Sequence, residues 1–154
     1  MMRCRSIPGC ALRHALLTLL VAGLWPAAAL AQGSPVGQWK TIDDSTKEAK
    51  SIVEIWESGG KLYGKIIKLF KPKEPNPKCD KCKGDKKDKP VIGLVILEGL
   101  SKDGDEYTGG SITDPENGKA YKCKIKVEPD GRLKVRGFIG LSLIGRTQYW
   151  LRAK

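Results

Sequence analysis

The chain predicts an all-β fold, an eight-stranded antiparallel up-and-down barrel. Three observations carry this. Apolar and polar residues alternate at period two, with little helical spacing. Gly, Asp and Asn turn residues divide the alternating runs at short intervals. Three of those breaks are tight glycine turns of the kind that join hairpins.

The runs cover residues 36–42, 50–57, 61–70, 91–100, 105–113, 119–128, 132–139 and 145–152. Lys119–Glu128 is the clearest: Tyr121, Cys123, Ile125 and Val127 share one face, and Lys122, Lys124 and Lys126 the other. One face therefore meets a core and the other water. In the next run Leu133, Val135, Gly137 and Ile139 alternate with Lys134, Arg136 and Phe138. Closing eight sequential strands removes the sheet edges, and a barrel of that size holds packed side chains or one small ligand.

In such a meander, alternate loops fall at opposite ends. Glu57-Ser58-Gly59-Gly60, Lys102-Asp103-Gly104-Asp105 and Pro129-Asp130-Gly131 make one end minimal. The other end receives residues 43–49, the lysine- and cysteine-rich segment before residue 91, Asp114–Gly118 and Leu141–Gly145. Function concentrates on loops held by a rigid scaffold, so this end is the candidate functional face.

The N-terminal 31 residues have the marks of a secretory signal peptide. Arg3, Arg5 and Arg13 precede an apolar run that ends Ala29-Leu30-Ala31. A basic region, a short apolar region and small residues at the cleavage site define such a leader. Pro26 interrupts the apolar run, which argues against a membrane span. Cleavage near Ala31 leaves a single domain, 32–154, in the periplasm or outside the cell. It removes His14, the only histidine, together with Cys4 and Cys10. Without Arg3, Arg5 and Arg13 the chain keeps 25 basic and 17 acidic residues, a net charge of +8. A chain without histidine cannot run a Ser-His-Asp or Cys-His mechanism. No other convergent catalytic set is evident, so the expectation is a protein that is not an enzyme and uses no cofactor.

Gly37-Gln38-Trp39 resembles the G-x-W of the lipocalin superfamily. In that fold an arginine of the last strand covers the tryptophan at the closed end, which makes Arg146 or Arg152 the candidate here. Guanidinium over indole is a favourable contact. Three further segments extend the likeness: Gly109–Tyr121, Leu133–Gly140 and Gly145–Arg152. Together they resemble a family of exported bacterial lipocalin-like proteins of unknown function. The resemblance implies a calycin-type barrel and no activity. The Cys-x-x-Cys loop departs from many members of that family.

That loop, PKCDKCKGDKKDK at 77–89, admits several readings. A closed zinc site needs four ligands, and only Cys79, Cys82, Cys123 and an aspartate such as Asp80 are at hand. A thioredoxin-type centre needs a helix in a βαβ unit, which is missing. A local Cys79–Cys82 disulfide in an oxidising compartment is the favoured reading. Cys123 then remains as an apolar filler facing the lumen, although its pairing with Cys79 or Cys82 stays open.

Charge adds a polyanion reading. Lys61–Lys89 holds eleven lysines and four acids, with Lys78, Lys81, Lys83, Lys86, Lys87 and Lys89 on the expected rim. Anionic lipid or polysaccharide of the cell envelope would fit. The plainer reading is that the lysines keep the loop soluble and block edge pairing. Aromatics do not interleave with them, so nucleic acid is not an expected partner. Asp114 and Glu116 share the rim and are read first as turn residues.

The leading expectation is a small apolar ligand at the open end. Trp39, Tyr121, Cys123, Val135 and Gly137 are the inward candidates, with Trp39 also read as a structural plug. Leu141 and Leu143 belong to an apolar segment, 139–145, read as tucking into the barrel end in preference to forming a lid. The alternative is a filled barrel that acts through its basic rim.

Overall fold

The structure, a computed structural model, describes residues 33–141 and 143–154. The expected leader, 1–31, lies outside them. Eight strands form one closed antiparallel barrel in sequence order. They are β1 (Gly37–Ile42), β2 (Ala49–Ser58), β3 (Lys61–Leu69), β4 (Val95–Asp103), β5 (Glu106–Asp114), β6 (Lys119–Val127), β7 (Leu133–Phe138) and β8 (Gly145–Arg152).

The tight turns lie where the glycines put them. Ser58 pairs with Lys61 across Gly59 and Gly60, whose φ angles are 57° and 72°. Positive φ at both central positions matches the right-handed twist of the flanking strands. β4 and β5 meet across Gly104-Asp105, and β6 and β7 across a five-residue turn closed by Glu128 N–H to the Arg132 carbonyl at 2.8 Å.

The largest boundary difference from the sequence reading is at the start of β4. Val91, Ile92 and Leu94 are apolar, but β4 begins only at Val95. Pro90 has no N–H to give a ladder, and Gly93 takes a φ of 93° that turns the chain. The segment still buries Val91 and Leu94. It reaches the sheet through Gly93 N–H to the Ile66 carbonyl at 2.7 Å and Ile66 N–H to the Leu94 carbonyl at 3.0 Å.

Closure rests on few backbone pairs. β1 meets β8 at Trp39–Arg152 and Lys40–Leu151, extended by Ala153 N–H to the Gln38 carbonyl. Arg152 reinforces this seam. Its guanidinium lies 4.0 Å from the Trp39 ring centroid and donates to the carbonyls of Val36 at 2.9 Å and Ser34 at 2.7 Å. The Trp39 indole N–H donates to the Pro35 carbonyl at 2.7 Å. Gly37 makes room: a Cβ there would lie 2.8 Å from the Arg152 guanidinium. The Gly-x-Trp spacing is thus a packing requirement.

Above this plug the closed half is solid. Val53, Ile55, Leu62, Leu97, Leu100, Ile125 and Leu133 are fully buried. Gly64 belongs to this packing, since Leu97 and Val53 occupy the space a side chain would need.

Candidate ligand-binding cavity

The open half is hollow. A cavity of about 1300 Å³ opens between the four long loops. Ile66, Leu69, Ile96, Ile112, Val135 and Trp150 give it an apolar wall, and Tyr121, Phe138 and Gln148 also line it. The alternation of each strand aims these side chains inward. Two neighbouring hydroxyls, Thr41 and Ser51, are buried in the wall and satisfy each other at 2.7 Å. Gln148 accepts from the Trp150 indole N–H at 3.3 Å. Among the described residues every buried side-chain polar atom has a partner. The inner wall is therefore apolar with its buried polar atoms satisfied, while charged and polar side chains ring the mouth.

Tyr121, Val135 and Gly137 line the cavity. A Cβ at Gly137 would meet Ile112 at 3.4 Å and Tyr121 at 3.6 Å, ordinary contact distances. Here the missing side chain leaves open volume. Trp39 does not line the cavity; it is fully buried under Arg152 at the closed end. Cys123 is buried in the core and does not line the cavity, and burial pushes its thiol up to about 12. A thiol held neutral this way is a weak nucleophile.

Leu141 and Leu143 correct the expectation of a tucked segment. They are 74% and 85% exposed, and β7 ends before them at Phe138. Arg146 also falls elsewhere than at the Trp39 ring. Its guanidinium bonds Asp44 at the open end, Nε to Oδ2 at 2.5 Å. Arg146 and Arg152 share one strand face, but the β1–β8 register sets Arg152 against Trp39.

The lysine segment forms a folded lobe. Cys79 and Cys82 form a disulfide, both buried. Lys78 and Pro90 bridge its two ends, and Gly84–Lys86 makes one 3₁₀ turn. The lobe docks on the turn between β5 and β6, where Cys79 Sγ rests 3.4 Å from the Pro115 carbonyl oxygen. Gly118 is the point of closest approach: a Cβ there would lie 1.8 Å from the Lys81 carbonyl oxygen. Asp114 shapes this turn by accepting from Glu116 N–H at 2.9 Å and the Asn117 amide at 2.8 Å.

The expected rim lysines disperse. Lys78 and Lys81 border the cavity mouth. Lys86 turns outward to Glu98 and to Thr113 Oγ1, and Lys87 to the Asp80 carbonyl and Asp88. Lys89 borders a shallow outer groove with Trp56 and Tyr63, and Lys83 lines neither space. The mouth itself carries six basic and six acidic side chains. Several pair directly, including Lys50–Glu116 at 2.7 Å and Lys71–Glu48 at 2.9 Å. Its charge is balanced, which the lysine count alone does not suggest. Among the described residues no cluster of three His, Cys, Asp or Glu side chains is placed to hold a metal.

The wall residues Ile66, Ile96, Ile112 and Trp150 were not singled out by sequence. Trp150 was legible, because it stands two residues from Arg152 and shares its face.

Fold and cavity together define a lipocalin-like barrel, plugged at one end and hollow at the other. Residues 37–152 match the family described as "Uncharacterized protein conserved in bacteria (DUF2147)", and the chain belongs to that family. Among solved structures it is similar to HP1028 from the human pathogen Helicobacter pylori, described as belonging to the lipocalin family. That likeness has a TM-score of 0.69 at 22% identity over 79% of this chain and 84% of the other. No curated protein sequence matches significantly.

Proposed function

We propose that the protein is exported and binds a small, largely apolar molecule in the open half of its barrel. The observation that carries this is the cavity of about 1300 Å³ with its aliphatic wall. Pockets for small molecules are typically about 300–1,000 Å³ and mostly apolar. This one has room for such a ligand and part of its mouth. The alternative of a filled barrel has little support, because only the closed half is packed. The Cys79–Cys82 disulfide supports an oxidising compartment, as the leader-like N-terminus does.

The test uses N-phenyl-1-naphthylamine, an uncharged apolar probe, with the purified protein and its Gly137→Leu variant. The Cβ of that leucine fits, and the rest of it enters the cavity. Saturable one-to-one binding, weakened at least tenfold in the variant, is expected. Absence of saturable binding, or equal binding by a variant that folds normally, overturns the reading.

A further inference from the structure

We propose that the β7–β8 hairpin tip is a lipid-inserting wedge that docks the mouth of the cavity on a bilayer. Four large aliphatic side chains project from it: Ile139, Leu141, Leu143 and Ile144 are 63%, 74%, 85% and 73% exposed. Exposed apolar clusters of this kind mark interaction sites. The tip is held out by design of the hairpin. Ile139 N–H donates to the Ile144 carbonyl at 3.2 Å, Ile144 N–H to the Leu141 carbonyl at 3.1 Å, and Arg136 to the Leu143 carbonyl at 3.2 Å.

Lipid suits this tip better than a protein does. A stable protein interface uses about 20–30 residues a side, whereas the wedge offers four. Protein hot spots favour Trp, Tyr and Arg over Leu. A fluid hydrocarbon phase, in contrast, moulds itself around a narrow convex wedge. Stable attachment to a membrane commonly takes two signals, an apolar element and a basic one. The second is present at the same end of the barrel in the disulfide lobe alone: residues 70–94 carry eight lysines against four acids, although acids of the neighbouring loops balance the charge at the mouth itself, so the wedge supplies most of the attachment. Juxtaposed lysines are drawn to anionic lipid surfaces.

Ile139 and Ile144 also line the cavity mouth. The wedge therefore adjoins the cavity wall through Phe138, Ile139 and Ile144. On the ligand-binding reading above, that gives an apolar molecule a path between bilayer and cavity. The docking itself does not depend on that reading.

The test is flotation of the purified protein with vesicles of three parts phosphatidylethanolamine to one part phosphatidylglycerol. Leu141→Ser/Leu143→Ser removes the two most exposed side chains of the wedge and leaves the cavity-lining Ile139 and Ile144 in place. The expected result is flotation of the natural protein and at least a tenfold loss of apparent affinity in the double variant, with unchanged melting. In a Leu141→Trp variant, the added indole should be quenched by lipids brominated along their acyl chains. Any of three results overturns the proposal: no flotation, equal flotation of the double variant with all binding lost in 0.5 M salt, or self-association through the tip without vesicle binding. Vesicle binding without uptake of N-phenyl-1-naphthylamine leaves the wedge standing and removes the ligand reading instead.

Discussion

At the closed end Trp39 lies under Arg152, tight turns join the strands, and a solid layer of aliphatic residues fills the barrel. At the open end the same strands surround a hollow, long loops replace the turns, and leucines stand in water. Both ends obey one strand period. They differ in what the inward positions are asked to do. Large side chains that interlock at one end give cohesion. A glycine at 137 and loops that brace one another leave space at the other. Cohesion and open space are thereby separated along the barrel axis, so changes near the mouth can alter the cavity without unfolding the sheet.

Trp39→Ala is the strongest way to break this division. It deletes a fully buried ring and leaves the Arg152 guanidinium without its partner. Large-to-small changes of this type cost about 3–5 kcal/mol. Ile112→Ala, at the half-buried cavity wall, should cost less than about half of that, because its neighbour is already open space. Urea unfolding of the two variants measures both. If Ile112→Ala proves the costlier, cohesion is not concentrated at the closed end.

Gly118→Ala probes a place where the open end is packed as tightly as the closed one. The glycine has a φ of 71°, and the Lys81 backbone occupies the position of its missing Cβ. An alanine must move the disulfide lobe and adopt a left-handed backbone, at a cost of about 1–3 kcal/mol. Dislodging the lobe should also expose Cys79–Cys82, so a mild reductant should open it faster than in the natural protein. An unchanged reduction rate would mean that the lobe holds its fold without the turn beneath it.

The strands and the end that carries the long loops were legible because period-two alternation and glycine turns are local signals; whether that end was hollow was not. Lys122, Lys124 and Lys126 against Cys123 and Ile125 needed no tertiary knowledge. What escaped depends on distant partners. The lysine lobe is shaped by Glu98, Thr113 and Gly118, whose proximity no local pattern encodes. Arg146 and Arg152 have the same parity on β8, and only the pairing register separates them. Leu141 and Leu143 read as buried because apolar runs usually are. Their exposure follows from the end of β7 at Phe138, past which Gly140, with a φ of 65°, breaks the strand period that would aim them inward.

The smallest expected effect concerns Asp44, which ties the first open-end loop to Arg146 and Gln148. Partial burial pushes its carboxyl up, but the bonds from Arg146 and Gln148 and the Arg146 charge outweigh this and hold it below the ordinary carboxylate value. The folded form therefore favours the ionised acid. The resulting stability is present above the unfolded value near 3.9 and is lost as pH falls through the lower folded value. Both side chains are more than a third exposed, at 40% and 64%, so solvent screens the pair. Asp44→Asn should cost only about 0–1 kcal/mol at neutral pH. Unfolding curves of the two proteins should converge as the pH falls through the lowered folded value. A loss well above that range, or one that persists in acid, would mean the open end is braced as firmly as the closed one. The mouth would then be a rigid frame, and a ligand would have to enter without loop movement.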